Sequence, residues 1–474
     1  MHGETKFLSF MYNTPNNKWS RKHMLKYSFL IILLVACSTT KDSRKSTQEE
    51  IQFEATKRVF DNGLTAIIVE NKKLPVFSYH TFYKVGGKFE TPGITGASHF
   101  LEHMMFKGAK KYKMGEFDKL VEGNGGSNNA YTTNDLTVYY EDLPNAHLET
   151  MIDIEADRME NLTLDKAAFQ SEKAVVLEER RMRYENSDRG KLYLSMMKEI
   201  FKGTAYGTSV IGKIEDLNSV TRDQIYAYFK KYYSPNNAVI VIAGDVDTDD
   251  TLDLLEDKFG DIKPFKALEK TKSDAIKLKG FKVKEKFGYD VKLKGQSPEP
   301  MFMLAYPSEK IGSREGFVLD ILSSILGSGA TSYLSERFVL GKNPAAVSIS
   351  AANYTLQDAG VFFVMGQMLG KKNLKSFKRN LRRSVVKSCK DAITPRSIDK
   401  VKNQFLVSMF SGLDSNAGIA KFLGNREVYF DDYNFYKREL DIYQSITKKE
   451  LQSACDKYLK PSRSVFLSIW SKHK

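Results

Sequence analysis

Residues 220–243 read VTRDQIYAYFKKYYSPNNAVIVIA, and residues 446–469 read ITKKELQSACDKYLKPSRSVFLSI. The two stretches align without a gap: Val220 with Ile446, Thr221 with Thr447, Ile225 with Leu451, Tyr232 with Tyr458, Pro235 with Pro461 and Val239 with Val465. Each opens with a Thr able to cap a helix. Apolar residues follow at helical spacing, the helix stops near Pro, and a β-rich run comes next. A single unit of this kind is common. Two of them, 226 residues apart, read as two halves of one duplicated fold.

The whole chain agrees with that division. Its 474 residues suit two domains of about 200 residues each. With 42% hydrophobic residues each half can bury a core, and 12 prolines without a long biased tract argue against global disorder. LTAIIVE (64–70), FSYHTFYKVG (77–86) and NDLTVYYEDL (134–143) are strand-like. MGEFDKLVEG (114–123), LDKAAFQSEKAVVLEERRMRYEN (164–186) and SFKRNLRRSVVKSCKDAI (376–393) are helix-like. Strands do not alternate with single helices, so the expected class is α+β: two homologous domains, each a mainly antiparallel sheet packed with helices. The Lys-rich stretch 262–285 has no convincing period and marks the seam. The expected boundaries are a signal segment at 1–37, a flexible tether at 38–50, a first domain at 51–262, a linker at 263–285 and a second domain at 286–474.

Arg21, Lys22, His23 and Lys26 precede the apolar run YSFLIILLVAC, which is too short to span a bilayer and reads as a secretory signal. Met24 makes a more typical signal start than Met1. The run ends in Leu34-Val35-Ala36-Cys37, which resembles the lipobox of bacterial lipoproteins. That resemblance implies a lipid on Cys37 and, with Ser38 following, an outer-membrane lipoprotein facing the periplasm. The tether STTKDSRKSTQEE is polar throughout. Cys389 and Cys455 remain. An exported chain could pair them, but sequence cannot show that they meet. The repeat places Cys455 on an apolar helix position, which favours a buried free thiol.

Net charge is +14. The lysines are interleaved with Glu and Asp and no nucleic-acid motif accompanies them, so they read as solvated surface and no nucleic-acid partner is expected.

The chain has only 7 histidines, and ASHFLEHMMFKG (97–108) holds two of them. His99, Glu102 and His103 form H-x-x-E-H. On a helix, residues three and four apart share a face, so two imidazoles can meet one ion with a carboxylate beside them. Zinc hydrolysis needs that set: nitrogen ligands for the metal and a base for water. Phe100, Leu101, Met104 and Met105 supply packing, so the helix is expected to be buried, where an unpaired polar cluster would be costly.

This motif resembles the inverted zinc motif of the pitrilysin/insulinase-type metallopeptidases, the inverzincins. The resemblance runs from about residue 52 to the end. In that family a third ligand, a glutamate, comes from a helix about 75 residues downstream. The matching stretch is SEKAVVLEERRMR, which places Glu172 in the family's first acidic position and Glu179 at the ligand position. Glu178 is adjacent, but Glu172 and Glu179 lie two helical turns apart on one face while Glu178 points about 100° away. The resemblance implies one Zn²⁺ per chain on His99, His103 and Glu179, with Glu102 as catalytic base and Glu172 orienting a ligand or the water. GGSNNAYTTNDLTVYY (125–140) resembles the family's Gly-rich turn into a strand where substrate adds to a sheet edge, so Asn129 and Ala130 are expected to bind peptide. The two domains would form half of a peptide-enclosing chamber. In the second half, Val318 and Leu322 align with His99 and His103, so no second metal site is expected there.

One departure shapes the functional expectation. Family members that act alone carry an Arg and a Tyr in this half, in segments like Ser-Arg-Leu and Gly-Leu-Ala-Tyr. Here the matching stretches are Ser332-Tyr333-Leu334 and Asn343-Pro344-Ala345-Ala346. Arg337 lies one turn on and is a possible substitute. The mitochondrial processing peptidase pairs a zinc-carrying chain with a zinc-less partner. The expected function is therefore a periplasmic zinc endopeptidase for peptides or unfolded polypeptides, with a homologous zinc-less partner chain supplying Arg and Tyr. The alternative is a non-catalytic, lipid-anchored peptide-binding or scaffolding subunit.

Overall fold

The computed structural model describes residues 53–266, 287–370 and 373–471. The expected signal segment, Cys37, the tether and most of the 263–285 linker lie outside the described residues.

The first half carries strands β1 (Ala55–Val59), β2 (Thr65–Glu70), β3 (Val76–Tyr83), β4 (Ser127–Thr132), β5 (Thr137–Pro144) and β6 (Ala238–Gly244). Its helices are α1 (Ala97–Met104), α2 (Glu116–Gly123), α3 (Leu148–Asn161), α4 (Lys166–Arg180), α5 (Asp188–Ile200), α6 (Ile214–Ser219), α7 (Arg222–Tyr232) and α8 (Thr248–Phe259). The second half carries β7 (Tyr289–Lys294), β8 (Met301–Ser308), β9 (Ala346–Thr355), β10 (Gly360–Met368) and β11 (Val465–Trp470). Its helices are α9 (Arg314–Gly327), α10 (Tyr333–Phe338), α11 (Leu374–Asp391), α12 (Pro395–Phe410), α13 (Asn416–Phe430), α14 (Phe435–Ser445) and α15 (Lys448–Tyr458).

The sheets run β1-β2-β6-β3-β5-β4 and β7-β11-β8-β10-β9. The order β2-β6-β3-β5-β4 recurs as β7-β11-β8-β10-β9, and in each sheet one pair is parallel, β2 with β6 and β7 with β11. All other pairs are antiparallel. The duplicated stretch forms α7 and β6 in one half and α15 and β11 in the other. Both helices open with a capping box, Thr221 with Gln224 and Thr447 with Glu450. Helix α9 corresponds to α1, and Val318 and Leu322 are buried in the second core where the first half has histidines.

The halves exchange a helix. Helix α5 of the first half lays Leu192, Met196 and Ile200 on the second sheet, against Met303, Val361 and Leu467. Its counterpart α13 lays Ile419, Ala420 and Leu423 on the first sheet, against Ile67, Phe82, Val239 and Val241. Both sheets are thus covered on both faces, which is why β6 reads AVIVIAG rather than alternating. The approach of α13 is close: a Cβ on Gly424 would meet the Phe82 ring at 2.2 Å.

Cys389 and Cys455 form a disulfide, with Cα atoms 5.5 Å apart. This corrects the expectation of a free thiol at Cys455. Cys455 does occupy a buried helix position, but periodicity on α15 says nothing of what α11 places opposite.

Candidate metal centre

Helix α1 starts at Gly96, whose φ of 92° is left-handed, and a Cβ there would sit 2.7 Å from the Ile211 carbonyl oxygen. The Glu90 carboxylate accepts the Gly96 N–H at 2.6 Å and the Ser98 N–H at 2.8 Å, satisfying the first donors of the helix. Phe100, Leu101 and Met104 are buried in the first core. That leaves His99, Glu102 and His103 for the opposite stripe. Helix α4 lies across it, capped by Asp165 and continued through a π-helical turn at Arg181–Glu185.

This crossing joins the residues expected from sequence. One ligand atom from each of His99, His103 and Glu179 lies within 4.8 Å of the others. Glu179 Oε1 is 3.5 Å from His99 Nε2, and Oε2 is 3.3 Å from His103 Nε2. Glu172 Oε2 is 3.2 Å from His103 Nδ1. Glu178 turns away, half exposed, and pairs with Arg181. Glu102 stands in the same cavity and accepts a hydrogen bond from the Thr132 hydroxyl. Asn129 and Ala130 line the cavity from β4, which among the described strands is an edge strand paired only with β5. The Asn129 Oδ1 accepts the Ala130 N–H at 2.8 Å. The cavity measures about 570 Å³.

The donor set fits a cation. A carboxylate only accepts, so the contact with Glu172 requires the proton of His103 on Nδ1. A neutral His103 then aims its Nε2 lone pair at the Glu179 carboxylate. Two acceptors face each other, and only a proton or a metal ion between them reconciles the contact. Burial works against charge on His103, yet the Glu179 hydrogen bond and the Glu102 charge outweigh it and raise its pKa. Burial likewise opposes charge on Glu179, but hydrogen bonds from His103 and His99 hold its carboxyl well below the usual carboxylate range. The site therefore prefers positive charge at its centre. Two imidazoles and a carboxylate suit Zn²⁺.

Four residues of this site were not singled out from sequence. Thr132 lies inside the quoted Gly-rich run. Lys107 follows His103 by four residues, and Arg183 follows Glu179 by four, so helical spacing was an available signal. Their side chains meet Glu172 and Glu179 respectively. Tyr354, at the end of β9, lines the same cavity from the second half, and its hydroxyl accepts from Asn134 Nδ2 at 3.4 Å. No sequence pattern marked it, because its position depends on how the halves meet. Arg337 is exposed on α10 and is not among the residues lining this cavity.

The profile of "Insulinase (Peptidase family M16)" matches residues 66–213, and that of "Peptidase M16 inactive domain" matches residues 219–405. The chain is 29% identical to "Zinc protease PqqE" of Helicobacter pylori, over 95% of this chain and 99% of that protein. It is 26% identical to "Mitochondrial-processing peptidase subunit beta" of Blastocladiella emersonii, over 78% of each chain. Among solved structures it is similar to a protease from Helicobacter pylori, with a TM-score of 0.81 and 27% identity, covering 88% of this chain and 100% of that one.

Proposed function

The chain belongs to the insulinase-type peptidase family M16, and from that premise we propose that it is a zinc-dependent endopeptidase acting on peptides or unfolded polypeptides. The observation that carries the reading is the convergence of His99, His103 and Glu179, with Glu102 beside them, under an open sheet edge. Zinc at such a site supplies Lewis acidity, which acidifies water and polarises a carbonyl. The chain's own residues supply the rest. Strand β4 offers its free edge to an extended peptide, with Asn129 and Ala130 along it. Glu102, oriented by Thr132, takes the proton of the attacking water and delivers it to the leaving amine. Glu172 holds the Nδ1 proton of His103.

The second half lacks the Arg and Tyr of self-sufficient relatives at Ser332–Leu334 and Asn343–Ala346. This supports a homologous zinc-less partner chain that supplies both and completes the chamber. The same absence favours the second reading, a non-catalytic peptide-binding subunit. The lipobox at Cys37 supports anchoring at the outer membrane facing the periplasm, and the Cys389–Cys455 disulfide suits an oxidising compartment.

The test is hydrolysis of a quenched fluorescent peptide library by the zinc-loaded chain, alone and with a candidate partner. Cleavage that disappears in Glu102→Gln, with zinc retained, is the expected result. Activity of the chain alone removes the need for a partner. Zinc binding without turnover in either preparation overturns the peptidase reading in favour of the binding subunit.

A further inference from the structure

Glu172 is nearly buried, with its side chain 9% exposed, so both of its oxygens need partners. One meets His103 Nδ1 at 3.2 Å; the other meets Lys107 Nζ at 2.9 Å. Lys107 stands four residues after His103, just beyond the end of α1, where its backbone N–H donates to the Met104 carbonyl at 3.0 Å. The Lys107 side chain is 31% exposed, so it reaches the carboxylate from the cavity wall rather than from open solvent. Arg183 makes the matching contact on Glu179, again four residues on, but its side chain is 47% exposed. The glutamate behind His103 is thus the one whose cation is more enclosed.

We propose that Lys107 is a positioning residue for the metal centre: by holding the second oxygen of Glu172 it fixes the carboxylate that takes the Nδ1 proton of His103 and so directs His103 Nε2 at zinc. The inference rests on the zinc reading above. Without Lys107, one Glu172 oxygen is left almost buried and unpartnered. The carboxylate then turns to find a donor, the Nδ1 contact loosens, and the His103 ring is no longer held in one tautomer and one orientation. A lysine acting only as solvated surface charge would have no such effect, since exposed ion pairs contribute little.

The experiment measures zinc affinity of the full chain at fixed pH by competition with a chromophoric chelator, for wild type, Lys107→Met, Lys107→Arg, Glu172→Gln and the double variant. Outer partners of metal-bound histidines commonly matter by about 10- to 100-fold in affinity, so Glu172→Gln is expected to weaken zinc by that order and Lys107→Met, acting through Glu172, by up to about 10-fold, with Lys107→Arg within about 3-fold of wild type. Because Lys107 acts through Glu172, adding Lys107→Met to Glu172→Gln should cost little more. Thermal unfolding of the metal-free variants checks folding separately. Wild-type affinity in Lys107→Met, or full multiplication of the two losses in the double variant, overturns the inference and leaves the zinc reading intact. A wild-type chain that binds no zinc overturns the zinc reading itself, and this inference with it.

Discussion

Lys88 of the first half and Asp358 of the second meet at 3.0 Å inside the protein. The Lys88 side chain is fully buried, and its ammonium also lies 2.9 Å from Asp135 Oδ1 and 2.6 Å from Gln357 Oε1. Tyr206 donates to Asp135 at 2.6 Å. This cluster ties the β9–β10 turn to the segment just after β4, and its neighbours Asn134 and Tyr354 line the cavity that holds His99, His103 and Glu179. Removing the cation strands buried Asp135, so Lys88→Met should lower stability by about 3–5 kcal/mol in urea denaturation. Arg58→Ala removes an exposed pair with Glu256 and should cost under about 1 kcal/mol. Equal losses in the two variants would mean that the buried cluster does not tie the halves together.

The Thr132 hydroxyl donates a hydrogen bond to Glu102. Thr132→Val keeps the shape of β4 and removes that donor. Glu102 then has to be oriented at each turnover, and kcat should fall by about 10-fold, a part of the about 10²- to 10⁴-fold that general-base catalysis contributes. Zinc affinity should not change. A variant with normal kcat would place the orienting contact elsewhere.

Adjacent glutamates give a sharp contrast on α4. Glu179 faces both imidazoles, whereas Glu178 is half exposed and paired with Arg181. Glu179→Gln should abolish tight zinc binding, and Glu178→Gln should leave zinc content and turnover within about twofold of wild type, as for surface changes generally. Metal analysis of the two purified variants decides between them, and zinc retained by Glu179→Gln would remove it from the ligand set.

What the sequence made legible follows from how local each feature is. The pair His99 and His103, and the face shared by Glu172 and Glu179, are set by helical spacing and can be read without a structure. The repeat was legible because each copy carries its own cap, helix and strand. The helix exchange was not. Nothing in α5 or α13 says which sheet it covers, although the unbroken apolar run of β6 hinted that both faces are buried. Lys88 looked like any surface lysine, and Tyr354 like a strand tyrosine. Cys389 and Cys455 are 66 residues apart, and only the packing of α11 on α15 brings them together.

His80 lies on β3, where the first sheet meets α13, stacked between Phe82 and Tyr140. Burial, aided by the Lys421 charge, pushes its pKa down to about 3. The folded chain therefore keeps it neutral, while the unfolded chain protonates it below its ordinary value of about 6.5. Between about pH 6.5 and 3 the unfolded state binds the extra proton, so stability is lost as pH falls, by at most about 1.4 kcal/mol per pH unit from this group. Above about pH 6.5 it contributes no slope. Urea titrations of wild type and His80→Gln across that window should diverge in slope as the pH drops. Parallel curves would mean that His80 is protonated in the folded protein.

The disulfide closes the chain between α11 and α15, the helix that feeds β11 into the second sheet between β7 and β8. Its sequence separation is 66 residues, and cross-linking a loop of that size removes unfolded-state entropy equivalent to about 4 kcal/mol in the chain-entropy account. Both cysteines are almost buried, so a reductant reaches the bond only through local opening of the second half. Cys389→Ser/Cys455→Ser should therefore be less stable by roughly 2–4 kcal/mol, and wild type should approach it only after prolonged reduction. His99, His103 and Glu179, the proposed zinc ligands, all lie in the first half, so metal affinity should survive while stability drops. A fall in zinc affinity matching the loss of stability would mean that the second half, through α13 on the first sheet, holds the metal site in shape.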